Sequence, residues 1–384
     1  MKQWGLTVGL CFVAYQDTNS FLGRVGGPSI GIAAFLLSLW WPTTSGSRSI
    51  AIFPTSILKR LWFFCTGLAL ILAAATAGDE TELIFSAVKA TLFVGGLLMG
   101  VALAKRINSR FRLGQLALPF TIVVLISAHC AYQVYAAEID NDVNRQVIFY
   151  SAKKAITHFG DSNASAVYAL CWLPMLSEWC SLLVRKTWAT EFIKVGAVLL
   201  FSLLVYLMRS RAALAGLIAI LAWQLIVKYV KSTRAVGLLL LLIATLALSY
   251  FGHRWLLESI ESDGSGATKI KIYVNTFWEL SHASLKKITF GEGLSKGNYT
   301  YSFGEGMYSH TLITTLLGQV GLLGMILYVV CLVRLKMQVL HWYVGLFICG
   351  LSLLYPFYET FGITLGFLMT ISPEGSPASA NSLH

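Results

Sequence analysis

The chain has 384 residues, of which 56% are hydrophobic and only 12% charged, with a mean hydropathy of +0.69. Soluble domains carry roughly 25% charged residues, so this balance excludes a soluble enzyme, a secreted disulfide scaffold and a disordered chain. The net charge of +11 does not point to nucleic acid, because Lys and Arg fall in short clusters between apolar runs, with no basic face interleaved with aromatics.

In chain order, the apolar runs able to cross a hydrocarbon core about 30 Å thick are 4–15, 27–41, 61–77, 83–104, 113–137, 165–184, 191–208, 212–227, 235–251 and 311–333. A last stretch, 341–371, is interrupted at Tyr355-Pro356, where a helix kinks or turns. It reads as two short segments, with one long tilted span as the alternative. The expectation is an all-α integral membrane protein of about twelve transmembrane helices. Its membrane domain covers 1–371, a long loop at 252–310 lies within it, and a polar tail occupies 372–384. Met1-Lys2 and the run after it imitate a signal peptide but lack a small-x-small cleavage site, so they read as a retained first span. The seven cysteines lie almost all inside apolar runs and read as small buried hydrophobes, with no metal and no disulfide framework.

Basic clusters set the orientation. Arg48/Lys59/Arg60, Lys105/Arg106/Arg110/Arg112, Arg185/Lys186, Lys228/Lys231/Arg234 and Arg334/Lys336 all fall on one side, together with Lys2. By the positive-inside rule that side is cytoplasmic. The opposite side receives the acidic turn Gly78-Asp79-Glu80-Thr81-Glu82, the segment 138–164 and the loop 252–310.

Neither long outer segment reads as a simple linker. In 138–164, Val143, Val147, Ile148, Ala155, Ile156 and Phe159 recur at helical spacing, as in an interfacial amphipathic helix. The second segment opens with the turn Ser262-Asp263-Gly264-Ser265-Gly266, then sets Tyr273, Val274, Phe277 and Trp278 on one helical face. Two glycine-rich pieces follow, Gly291-Glu292-Gly293 and Gly304-Glu305-Gly306, before Ser309-His310. An outer loop of about sixty residues is longer than a connection needs, and such loops usually carry function.

Two constellations offer chemistry. Leu207-Met208-Arg209-Ser210-Arg211 ends one span and opens the next, placing two guanidinium groups on the side opposite the basic clusters. They read either as snorkelling interfacial residues or as a fork for phosphate, which planar bidentate donors suit. His310 closes the long loop just before a span bearing Gly318, Gly321 and Gly324. It reads either as an interfacial polar residue or as a general base for a hydroxyl nucleophile. Lys89 and Glu178 are intramembrane charges that fit a cavity or a structural pair equally well.

Taken together, Ser210-Arg211, Gly291-Glu292-Gly293, His310 and Gly321-Leu322-Leu323-Gly324 resemble the bacterial O-antigen ligase and O-antigen polymerase superfamily. The resemblance covers about residues 195–335 and rests on order, side and spacing, since no piece is specific alone. It implies a multi-pass inner-membrane glycosyltransferase of the GT-C type, with its active site facing the periplasm. The implied donor is a glycan on undecaprenyl diphosphate, and no metal, cofactor or nucleotide sugar is required. Ligases pass the glycan to lipid A-core in lipopolysaccharide biosynthesis; polymerases pass it to the next lipid-linked repeat unit. The ligase is the favoured expectation. The resemblance assigns diphosphate binding to Arg211, with Arg209 as its neighbour, and catalysis to His310. Where the family places a second loop arginine, before the aromatic position that is Tyr273 here, this chain has Lys269 and Lys271. Lysine neutralises phosphate without a bidentate fork. The Asn that commonly follows the family histidine is replaced by Thr311.

Two rivals belong to other classes. A transporter would use Lys89, Glu178 and the broken last span at mid-depth, but no inverted repeat is visible. A non-enzymatic envelope scaffold is the other.

Overall fold

The computed structural model describes residues 2–15, 27–40, 55–108, 113–139, 162–183, 187–229, 264–302, 308–309, 311–333, 337–351 and 354–371. Among these residues there is no strand. The helices are α1 Lys2–Ala14, α2 Gly27–Trp40, α3 Thr55–Ala75, α4 Glu80–Asn108, α5 Ala117–Ile139, α6 Ser162–Leu182 and α7 Thr187–Leu207. They continue as α8 Arg211–Tyr229, α9 Gly264–His282, α10 Leu285–Phe290, α11 Leu312–Leu332, α12 Met337–Gly350 and α13 Glu359–Thr370. Among the described residues, four helical stretches, Thr55–Ala75, Glu80–Ile107, Gly114–Ala137 and Leu312–Leu332, are long and apolar enough to cross a membrane. The expected span 235–251, nearly all of the amphipathic segment 138–164, Gly304-Glu305-Gly306, His310 and the tail 372–384 lie outside the described residues.

Helix ends differ from the hydropathy reading for local reasons. α3 begins at Thr55 rather than 61 because Lys59 and Arg60 are helical and exposed, as long cations at a helix end can be. α4 begins at Glu80 because Asp79 caps it, its Oδ1 accepting the Glu82 N–H at 3.1 Å. The last apolar stretch is two helices, α12 and α13, with Pro356 between them. The run 311–333 is not one regular helix, since Gly321 interrupts it at φ 64° and ψ −170°.

Side-chain contacts fix helix directions. Phe120 of α5 packs against Trp172 and Trp179 of α6, at 6.3 and 5.0 Å between ring centroids, while Cys130 lies near Tyr168. Thus α5 and α6 are antiparallel, and α5 is in turn antiparallel to α4, to which a short link and the Arg106–Gln115 hydrogen bond join it. Short links then reverse α7 and again α8, so α8 runs with α4. α11 also runs with α4: Gln319 meets the segment held by Ser86 and Lys89, and Tyr328 stacks on Phe93 with centroids 6.0 Å apart. α12 returns, bringing Gly350 against Leu312. The starts of α4, α8 and α11 therefore share one end of the bundle with the segment 291–300. Lys59, Arg60, Lys105 and Arg106 mark the other end.

Glycine lets three helix pairs approach backbone to backbone. On α4 and α13, Gly96 and Gly100 face Gly362 and Gly366. A Cβ on Gly96 would lie 2.5 Å from Glu359 O and one on Gly362 2.7 Å from Phe93 O, while Cβ atoms on Gly100 and Gly366 would overlap the carbonyls of Ile363 and Leu97. Gly9 with Gly31 joins α1 to α2, and Gly216 with Gly345 joins α8 to α12. Beside the α4–α13 seam, Phe64, Phe93, Tyr328 and Phe357 form an aromatic cluster. The Tyr328 hydroxyl donates to Pro356 O at 2.8 Å, satisfying a carbonyl in the break before α13.

Candidate functional site

The interruption at Gly321 frees main-chain carbonyls that a regular helix would pair internally. The Glu292 N–H donates to Gly318 O at 2.8 Å, and the Gly293 N–H to Gln319 O at 3.1 Å. The piece Gly291-Glu292-Gly293 thus supplies donors to the broken helix. Both partners need glycine: a Cβ on Gly321 would overlap the Thr289 backbone, and one on Gly291 (φ 76°) would lie 2.6 Å from Gln319 C. Gly297 and Gly318 meet as closely. The two glycine motifs, distant in sequence, form one junction.

That junction is seated on the start of α4. Glu82, buried at 4% exposure, accepts the Ser295 N–H at 2.7 Å and the Ser86 hydroxyl at 3.0 Å. Ser86 Oγ in turn accepts the Leu294 N–H at 2.8 Å. Leu294 O receives three donors, Lys89 Nζ at 3.1 Å, Gln319 Nε2 at 3.2 Å and Asn298 Nδ2 at 3.2 Å. Gln319 also donates to Asn298 Oδ1 at 2.7 Å, and its buried Oε1 has no partner among the described residues. Lys89 has Glu82 and Glu359 as its acidic neighbours, so it serves the outer segment rather than Glu178.

An Asp79–Lys296 ion pair closes the rim. Its hydrogen bond, and then the Glu82 N–H, hold the Asp79 carboxyl below the usual carboxylate range; the same bond raises the Lys296 ammonium. Glu292 pairs with Lys287 at 3.3 Å and accepts a hydrogen bond from Thr300. Tyr301, fully buried beneath them, has its phenol pushed up to about 12 by burial and then by Glu292 and Glu279.

His310 lies outside the described residues, but its neighbours are placed. The Ser309 N–H donates to Asn298 O at 2.8 Å, and Ser309 Oγ lies 2.7 Å from Thr315 Oγ1. Thr311 caps α11 by accepting the Thr314 N–H at 3.3 Å. Ser309, Thr311, Thr314 and Thr315 are all fully buried, so the chain on either side of His310 is tied to the junction.

The arginine hairpin turns in three residues. Arg209 adopts φ 57°, a left-handed conformation uncommon outside glycine, and its guanidinium lies 5.1 Å over the Tyr206 ring. Ser210 is buried between the arginines, and its hydroxyl has no partner among the described residues. Arg211 is the exposed first residue of α8. The Gly216–Gly345 crossing lies about 8 Å along α8 from Arg211 and about 8 Å along α12 from Gly350, at 1.5 Å per residue. Gly350 in turn meets Leu312, next to Thr311. Hairpin and junction thus share one end of the bundle, with α12 between them. Lys269 and Lys271 both fall in α9, where Lys271 is exposed.

Between α3 and α4, with Leu36 of α2, lies an apolar groove of about 400 Å³, lined by Leu68, Leu72, Leu83, Ala87 and Val94 among others. Its Leu72 and Leu83 end adjoins Asp79 and Glu82. Reading the sequence alone missed Glu82, Ser86, Asn298 and Gln319. The one available signal was an amide set among glycines in an otherwise apolar run. Compared with protein-family models, curated proteins and solved structures, the chain finds no match in any of the three.

Proposed function

We propose that this protein is an inner-membrane glycosyltransferase of about twelve spans that moves a glycan from undecaprenyl diphosphate to an acceptor sugar hydroxyl at the periplasmic face. The reading favours O-antigen ligase, with lipid A-core as acceptor; surface-polysaccharide polymerase is the alternative. One observation carries it. Gly291–Gly293, the broken turn at Gly321 and the residues flanking His310 meet at the bundle end that also bears Arg209 and Arg211.

In this reaction the bond between the donor's anomeric carbon and the diphosphate oxygen breaks as the acceptor oxygen bonds to that carbon. The acceptor proton passes to the His310 imidazole. Charge gathering on the leaving diphosphate is met by Arg211 and Arg209, with the start of α8 and the buried Ser210 hydroxyl beside them. Both substrates are borne on lipids, and the apolar groove along α4 suits an isoprenoid or acyl chain. An interrupted helix also occurs in transporters. Here the freed carbonyls are already occupied by Glu292 and Gly293, which supports the enzyme over the transporter.

Deleting the gene and resolving the surface polysaccharide on a gel tests this. Loss of all capped lipopolysaccharide with lipid-linked polymer retained identifies a ligase, and a core bearing a single repeat identifies a polymerase. An unchanged ladder overturns the proposal.

A further inference from the structure

Four tyrosines from four segments gather around the chain that flanks His310. Tyr308 immediately precedes Ser309. Its ring packs at a tilt against Tyr299, with centroids 4.6 Å apart and planes inclined by 31°. Tyr355, from the break between α12 and α13, stands edge-on to Tyr308 at 6.3 Å and 78°. Tyr273 of α9 donates its hydroxyl to Leu351 O at 3.2 Å and lies in hydrogen-bond reach of Thr311. Tyr299 and Tyr308 are 40% and 41% exposed, so much of this aromatic pair faces outward. The residues supporting them are fixed: the segment that carries Tyr299 is seated on Glu82, Leu294 O and α11, and Ser309 is bound to Asn298 O. The rings are thus carried on hydrogen-bonded segments and left partly open.

A pyranose matches such a surface. One face presents C–H groups that pack on an aromatic ring, while its equatorial hydroxyls reach sideways to hydrogen-bonding partners. We propose that the Tyr299–Tyr308 pair, braced by Tyr355, is a platform for a sugar ring of the acceptor glycan. The assignment to the acceptor rests on the glycosyl-transfer reading. The arginine hairpin that would hold the donor's diphosphate reaches Thr311 through α12, whereas the tyrosines reach Ser309 through Asn298. Donor and acceptor therefore approach the same residue by different neighbours.

The test uses the full-length protein in nanodiscs. Transfer is assayed with varied acceptor and varied lipid-linked donor, and binding with free core oligosaccharide released from lipopolysaccharide by mild acid. Tyr308→Ala should raise the acceptor KM between about threefold and tenfold, the scale of one aromatic contact. It should leave the donor KM unchanged and weaken oligosaccharide binding by a similar factor. Tyr308→Phe, which keeps the ring, should stay near wild type. The proposal is overturned if Ala leaves the acceptor KM and oligosaccharide binding unchanged. It is equally overturned if only the donor KM moves, or if the sole effect is weaker membrane integration, which would make these rings interfacial anchors. A wild-type protein that binds oligosaccharide through Tyr308 but transfers nothing keeps the platform and refutes the transferase. Transfer indifferent to Tyr308 does the reverse.

Discussion

Lys89, in the first third of a helix able to cross a membrane, gives its ammonium to the carbonyl oxygen of Leu294, 205 positions later, at 3.1 Å. A cation within a span is tolerated when it reaches a polar partner. The same oxygen takes the amides of Gln319 and Asn298, so α4, the outer segment and α11 converge on one acceptor. Replacing Lys89 with Met keeps the length of the side chain and removes the donor. A charged hydrogen bond contributes about 1.5–3 kcal/mol, so amide exchange across 291–300 should quicken while membrane insertion persists. Unaltered exchange there would mean that the contact does not hold the segment.

Gly321→Ala should lower the melting temperature. The site combines φ 64° with a Cβ that would overlap the Thr289 backbone, and a non-glycine residue so placed costs about 1–3 kcal/mol in backbone strain alone. Gly196→Ala is the control, because a Cβ there meets nothing within 4 Å and helical Gly to Ala is favourable by about 0.5–1 kcal/mol. Equal melting shifts for the two would contradict the described junction.

The Asp79–Lys296 pair predicts an acid-sensitive rim. Asp79 is held below its ordinary range in the folded chain, so its contribution is present above the unfolded value and is lost as pH falls through the lowered one. Lys296 is raised, so its contribution persists until pH climbs past the ordinary lysine range. The rim should therefore resist proteolysis evenly across neutral pH and open below about pH 4. Asp79→Asn should keep the helix cap but abolish that acid step. A step of the same size in the variant would assign it to another carboxylate.

On the proposed glycosyl-transfer reading, Arg211→Ala should abolish glycan transfer with expression intact, because that reading assigns the diphosphate's fork to Arg211. Arg211→Lys should restore only part, charge being kept without bidentate geometry. Wild-type rates from both variants would leave the snorkelling explanation standing.

On the same reading, which makes His310 the general base, His310→Ala should slow turnover by roughly 10²–10⁴-fold, the usual contribution of a positioned acid–base group, with little change in donor binding. His310→Gln should be nearly as slow, since an amide cannot take the proton. Full activity in the Gln variant would make His310 an orienting donor and move the search for the base to Glu292, Glu305 or Glu359.

Much of the helical layout was legible because apolar run length is a local property. The run 27–41 is helix at Gly27–Trp40, and the interruption expected at Tyr355-Pro356 falls between the helices that end at Gly350 and begin at Glu359. The break at Gly321 was not legible. Its cause is Glu292 and Gly293, residues from another segment that take over the Gly318 and Gln319 carbonyls. The glycines were visible in the sequence, but not that Gly297 fits Gly318 or that Gly291 fits Gln319. Acidic residues at the start of α4 read as topology markers. Glu82 is also a binding side chain, a role defined only by Ser295 and Ser86 arriving beside it.

The α4–α13 seam bears on how the protein is made. Residues 80–108 leave the ribosome long before residues 359–370, and until the latter arrive Gly96 and Gly100 offer the bilayer a strip of bare backbone. Lipid tails cannot follow that strip as closely as the Ile363 and Glu359 carbonyls do. α4 therefore completes its packing only near the end of translation, although Glu82, Ser86 and Lys89 on the same helix seat the outer segment. A nascent chain halted before Glu359 would hold that segment on a helix still missing its closest neighbour.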